Sequence, residues 1–115
     1  MIRSVYVSLV ATALLIGGTV AAQPIGDLEA GREKSASCVA CHGEVGVSSN
    51  PEWPNLAGQH PDYLVHALQA YKSGDRQNAL MNGQAAGLST EDMRDLAAYY
   101  SAQDPEVYTP ARTSR

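Results

Sequence analysis

The sequence predicts a small all-α domain of three main helices joined by long loops. Apolar residues recur at helical spacing in two stretches, an N-cap at Asp27 predicts a third, short helix, and no stretch of useful length alternates as a strand would. Residues 43–58 are instead rich in Gly, Asn, Ser and Pro, and residues 75–87 contain Asn and Gly, which predicts two loops. Loops longer than about 12–15 residues are uncommon unless they have a function. The chain is therefore expected to wrap its loops around something other than its own side chains.

The N-terminal residues predict export. Arg3 gives a positive start, residues 5–16 are mostly apolar, and Val20-Ala21-Ala22 is a small-residue cleavage site. We expect a signal peptide over 1–22, cleaved after Ala22, so that the protein is periplasmic. The alternative is a retained membrane anchor, because the apolar stretch nearly reaches the ~20 residues that span a bilayer.

Residues 23–115 suffice for one small domain, with a tail expected to be mobile from about residue 105. The chain has no Phe and one Trp, so a modest apolar core is expected. The formal net charge is −4, and loss of Arg3 with the signal would make it more negative. This charge disfavours nucleic acid and anionic membrane surfaces as partners.

Each predicted helix begins at a residue that favours a helix start. The first covers residues 28–36 after Asp27 as N-cap. Gly31 inside it costs about 1 kcal/mol relative to alanine, which suggests either a chance occurrence or a need for close helix contact. The second runs over residues 61–72, with Pro61 in its first turn and Gly74 as its terminator. The third follows Ser89 as N-cap, with Asp92 as the acid of a capping box.

Cys38-Val39-Ala40-Cys41-His42 is a C-x-x-C-H run, the pattern of covalent c-type haem attachment. Two thiols three positions apart can reach the two vinyl groups on one porphyrin edge, and the next residue, His42, is then placed to bind the iron. The alternatives are a zinc site that recruits His60 and His66, a thioredoxin-like redox pair, a short disulfide, and a chance match. If no zinc is bound, we expect His60 and His66 to be exposed or capping residues.

Several further segments accompany this run, and together they cover about residues 27–103. They are Ala30-Gly31-Arg32, Pro54-Asn55-Leu56-Ala57-Gly58-Gln59, Tyr63-Leu64, Tyr71-Lys72-Ser73-Gly74, Leu88-Ser89, and Asp95-Leu96-Ala97-Ala98-Tyr99-Tyr100. With these segments the chain resembles the class I c-type cytochromes, in particular the short bacterial ones found singly or as halves of dihaem proteins. The resemblance implies the cytochrome c fold around one covalently bound haem c.

The resemblance also implies individual roles. Pro54 would offer its carbonyl to the second ring nitrogen of His42, and Gly31 would lie against Tyr99 of the last helix. The family's sixth iron ligand is a methionine in the loop before the last helix, which implies Met81. Among the three methionines, Met1 leaves with the signal, and Met93 lies beside Leu96 and Ala97 on a helix, where a core role fits better. We also consider that Arg76, Gln77 or Asn78 bonds a haem propionate or the ligand sulfur.

Ligation by His42 and Met81 would leave the iron no open position, and a thioether ligand raises the reduction potential. We therefore expect an electron carrier, not an enzyme, with no small-molecule substrate. The expected partners are redox proteins: a membrane complex, a dehydrogenase, or a terminal oxidase or reductase. Membrane contact is expected only if the signal segment is retained. The alternatives are a cytochrome subunit of a periplasmic dehydrogenase complex, and a haem sensor or peroxidase-like enzyme with a displaceable sixth ligand.

Overall fold

The chain folds as a set of α-helices around the C-terminal one. The structure is a computed structural model that describes residues 25–105. Its helices are α1 (Leu28–Lys34), α2 (Val39–His42), α3 (Pro61–Ser73), α4 (Ala79–Ala86) and α5 (Thr90–Ser101), with a 3₁₀ turn at Ser35–Ser37. Residues 25–105 contain no strand, and the predicted all-α class is confirmed.

The ends of the chain lie outside the described residues. These ends hold the expected signal peptide over 1–22, its cleavage point, and most of the C-terminal tail, so these features stay predictions. Within 25–105 no helix is both long and apolar enough to cross a membrane.

The three main helices begin at the expected residues, and α3 ends at Gly74 as expected. The Asp27 side chain accepts a hydrogen bond from the Ala30 N–H at 2.8 Å. Ser89 and Asp92 form a full capping box at the start of α5. Gly74 ends α3 in the left-handed conformation with φ 85°. The first helix is shorter than expected, because the chain tightens into the 3₁₀ turn after Lys34.

The interpretation of residues 75–87 as a loop is wrong in part, because they include α4. Asn78 has extended backbone angles, and its side chain accepts from the N–H groups of Leu80 and Met81, which starts the helix. Ala79, Leu80 and Met81 then follow as strong helix formers. The helix has eight residues and buries only Ala85, so it shows no apolar stripe by which its sequence could reveal it. Met81 therefore lies on a helix, not in a loop.

The core lies where α1 and α3 pack on α5. Leu64 of α3 joins four residues of α5, and partly buried residues pack around them, Cys38 among them. The buried cluster consists of Leu64, Leu96, Ala97, Tyr99 and Tyr100. Met93 of α5 is 1% exposed, as expected for a core residue. The core thus lies directly beside the C-x-x-C-H segment.

Candidate functional site

Cys38 and Cys41 lie at the start of the short helix α2 and within it, respectively. Cys38 is its N-cap, and a spacing of three residues puts both sulfurs on one side of a helix. Both thiols are free and partly buried, so they are not joined as a disulfide. Burial raises the pKa of the Cys38 thiol above its usual value. The pair is thus present as two unbonded sulfurs on one helical turn, next to the core.

His42 is held in one orientation at the end of α2. His42 is 7% exposed, and its ring Nδ1 lies 2.8 Å from the carbonyl oxygen of Pro54. A carbonyl oxygen only accepts, so Nδ1 must carry the proton and donate it. The lone pair of the neutral ring is then on Nε2, the atom that remains for a metal.

The loop that carries Pro54 is fastened back onto α2 by hydrogen bonds. The Ser48 hydroxyl donates to the Cys41 carbonyl at 2.9 Å, and the Ser48 N–H donates to the Asn55 side-chain oxygen at 2.8 Å. The residue next to Pro54 is therefore tied to the residue next to His42. Sequence reasoning missed these roles of Ser48 and Asn55. The only available signal was the position of Asn55 directly after Pro54.

Met81 comes from a different part of the chain. It is partly buried on α4, and its N–H donates to the Asn78 side chain at 3.1 Å. The assignment of Met81 as an iron ligand stays a prediction. The structure places the other four candidates, Cys38, Cys41, His42 and Pro54, together at α2 and the loop that contacts it.

The other candidate polar residues lie at helix ends, on exposed surface or in contacts with α3. His60 is the N-cap of α3, without a capping bond from its side chain, and His66 is exposed. Among residues 25–105 no three His, Cys, Asp or Glu side chains are grouped to hold a metal ion, which leaves the zinc alternative without a ligand set there. Gln77 donates to the Gly74 carbonyl at 3.3 Å. Arg76 lies over the Tyr71 ring, 4.8 Å from its centre.

The residues present fit a c-type haem. Two free thiols in C-x-x-C-H order suit thioether bonds, and a fixed imidazole with a free Nε2 suits iron. A hydrogen bond from the far ring nitrogen to a backbone carbonyl is the arrangement that metal-ligating histidines show. The donor set therefore agrees in residue type, order and orientation with haem attachment.

Comparison with known proteins agrees with this site. The family described as cytochrome c matches residues 28–102. Cytochrome c-554(548) from Halomonas halodenitrificans is 49% identical over 82 residues, which cover 69% of this chain and 99% of that protein. The structure of reduced cytochrome c4 from Pseudomonas stutzeri matches with a TM-score of 0.66 and 43% identity, over 69% of this chain and 46% of that one.

A third match is a larger protein. The thiosulfate dehydrogenase structure from Marichromatium purpuratum is 34% identical with a TM-score of 0.67, over 75% of this chain and 21% of that one. The chain likewise spans about half the length of the cytochrome c4 relatives. The expected cytochrome c fold and the resemblance to one half of a dihaem cytochrome are confirmed. The chain belongs to the cytochrome c family, whose members transfer electrons on a c-type haem and are carriers rather than enzymes.

Proposed function

We propose that this protein is a periplasmic carrier of single electrons with one haem. Cys38 and Cys41 hold the haem by thioether bonds, and His42 and Met81 ligate its iron. The observation that supports this most directly is the 2.8 Å bond from His42 Nδ1 to the Pro54 carbonyl, because it leaves Nε2 for the iron. The sequence has two cysteines, which suffice for one attachment motif and support one haem per chain.

When bound, the haem supplies an iron centre that accepts and releases one electron. The protein's contribution would be to hold the two ligand residues, His42 and Met81, in place. Pro54 holds the ring plane of His42 and makes its Nε2 more basic, and the Ser48–Asn55 bond keeps Pro54 in place. The Met81 thioether favours the reduced state, which raises the potential. Two protein ligands leave no position for a substrate, as a carrier requires.

Haem attachment is tested by the intact mass of the mature protein under denaturing conditions, after expression with the attachment machinery. We expect the polypeptide plus one haem. Single Cys38→Ser and Cys41→Ser variants should each keep one thioether bond at most, and the double variant should lose the haem when denatured. A wild-type mass equal to the bare polypeptide would contradict the proposal.

Export is the second part of the proposal. We infer that residues 1–22 are removed and that the mature domain is 23–115, since Val20 and Ala22 are small residues at the expected spacing. N-terminal sequencing of periplasmic protein should begin at Gln23. Recovery in the membrane fraction with Met1 retained would favour an anchor instead.

A second candidate function is that of a cytochrome subunit bound to a dehydrogenase. The similarity to a thiosulfate dehydrogenase structure, of which the chain covers 21%, favours this alternative. A free carrier should elute from gel filtration of a native extract at the size of a small single domain. A bound subunit should co-elute and co-purify with a larger redox protein.

A further inference from the structure

Helix α4, which carries Met81, has little apolar packing to hold it. Only Ala85 among its eight residues is buried, and Leu80 is 69% exposed. A Cβ added at Gly83 would meet no other protein atom within 4 Å. Burial of apolar side chains is the main force that fixes helices in proteins. Polar contacts with the rest of the chain therefore contribute to the position of α4, and of Met81 with it.

The side chain of Asn82 supplies such contacts. Its Nδ2 donates to the Tyr71 carbonyl at 2.6 Å and to the Arg76 carbonyl at 2.9 Å. Its Oδ1 accepts from the Asn78 N–H at 2.8 Å. One carboxamide thus joins the last turn of α3, the connection after it, and the N-cap of α4. Neither alanine nor aspartate can do this, because alanine has no polar atom and an aspartate carboxylate has no donor.

Asn78 connects Asn82 to Met81 through hydrogen bonds in the first turn of α4. Its backbone carbonyl accepts from the Asn82 N–H at 2.8 Å, and its side chain accepts from the Leu80 and Met81 N–H groups at 3.1 Å. Asn78 and Asn82 therefore brace each other across the first turn of α4, and Met81 lies between them. The Arg76 side chain, stacked on Tyr71, adds a second contact between the connection and α3.

We propose that Asn82 is a positioning residue that keeps Met81 in place as the sixth ligand. This inference rests on the proposed ligation by Met81. Asn82 acts through the backbone of α4, since its polar atoms are used by Tyr71, Arg76 and Asn78. Without these bonds α4 should open more often while the rest of the domain stays folded, because the buried core cluster is built from residues of α3 and α5 and includes none of α4.

The test compares Asn82→Asp and Asn82→Ala with a matched control, Gln84→Ala, which changes an exposed residue of the same helix. The near-infrared charge-transfer band of methionine-ligated haem is followed during heating, and global unfolding is followed by circular dichroism. Uptake of carbon monoxide by the reduced protein is measured separately. Both Asn82 variants should lose the band well below their unfolding midpoint.

The same variants should take up carbon monoxide about tenfold faster than wild type, which corresponds to about 1.4 kcal/mol for the lost hydrogen bonds. Gln84→Ala should match wild type in both measurements. If Asn82→Ala does not fold, the Asn82→Asp variant alone tests the proposal, because aspartate keeps the size of asparagine and its acceptor oxygen. If the Asn82 variants lose the near-infrared band only at their unfolding midpoint, as wild type does, Asn82 is not a positioning residue. That result would leave the proposed ligation by Met81 unaffected. A band that survives in Met81→Ala would instead show that the ligand assignment, and with it this inference, is wrong.

Discussion

Gly31 of α1 faces the backbone carbonyl of Asp95 on α5, with no room for a side chain between them. A Cβ at position 31 would also lie 2.8 Å from the Cβ of Tyr99. A glycine inside a helix costs about 1 kcal/mol relative to alanine. Here the glycine lets two helices cross at backbone contact, and the implied pairing of Gly31 with Tyr99 is confirmed.

We expect Gly31→Ala to destabilise the protein by about 1–3 kcal/mol or more, since the new methyl group must push α1 away from α5. The measurement is chemical denaturation followed by circular dichroism. Gly83→Ala is the matched control: a Cβ at Gly83 meets nothing within 4 Å, so this change should stabilise α4, by up to about 1 kcal/mol. Equal stability of Gly31→Ala and wild type would contradict the close crossing.

The neighbouring residues Tyr99 and Tyr100 should respond oppositely to loss of the hydroxyl group. The Tyr99 hydroxyl donates to the Glu44 carbonyl at 3.0 Å, so Tyr99→Phe should cost about 1 kcal/mol. The Tyr100 hydroxyl is buried and has no hydrogen-bond partner among residues 25–105, so Tyr100→Phe should be neutral or stabilising. Urea denaturation of both variants compares the same chemical change at adjacent sites. Equal losses would show that Tyr100 has a partner.

Acid should weaken the link between α1 and α5 through Asp95. The Asp95 carboxylate accepts from Lys34 at 2.5 Å and from the Asp27 N–H at 2.8 Å. The Lys34 ammonium, followed by that N–H, holds the pKa of Asp95 below its usual value. A carboxyl whose pKa is lower in the folded state stabilises the fold above its unfolded pKa, near 3.9, and this contribution is lost as pH falls through the folded pKa.

Asp95→Asn should therefore be about 1–3 kcal/mol less stable than wild type at pH 7, and the gap should narrow below about pH 4. Thermal melts from pH 7 to pH 3 measure this gap. Glu29→Gln is the control, because Glu29 is also paired, with Arg32, but is exposed, so its loss should change little. A constant gap across this pH range would show that the Asp95 charge is not what stabilises the crossing.

Met81 and Met93 should differ in spectrum and in stability. Met81→Ala should abolish the near-infrared band, lower the potential, and let the reduced protein bind carbon monoxide, since the proposed thioether ligand is gone. Met93→Ala should keep the band and cost about 2–5 kcal/mol, because the side chain is 1% exposed. The opposite pattern would assign the ligand to Met93. Ready carbon monoxide binding by wild type would favour a sensor or enzyme over a carrier.

The sequence by itself determined the three main helices and the attachment motif. The caps at Asp27 and Ser89 and the stop at Gly74 act within a few residues, and so does the spacing of Cys38, Cys41 and His42. Such signals are readable because the interacting groups are neighbours in the chain. The resemblance to a known family supplied the contacts of His42 with Pro54 and of Gly31 with Tyr99, which composition and periodicity did not indicate.

Only the tertiary structure decided how the loops and helix α4 are held against the rest of the chain. The Asn82 amide reaches Tyr71, eleven residues away, and the Ser48 hydroxyl reaches back seven residues to the Cys41 carbonyl. These bonds depend on where the backbone carbonyls of other segments lie in space, which no local pattern of side chains specifies. Helix α4 buries a single residue and has no apolar face that the sequence could display, and hydrogen bonds from Asn82 join it to α3 and to the connection that follows α3.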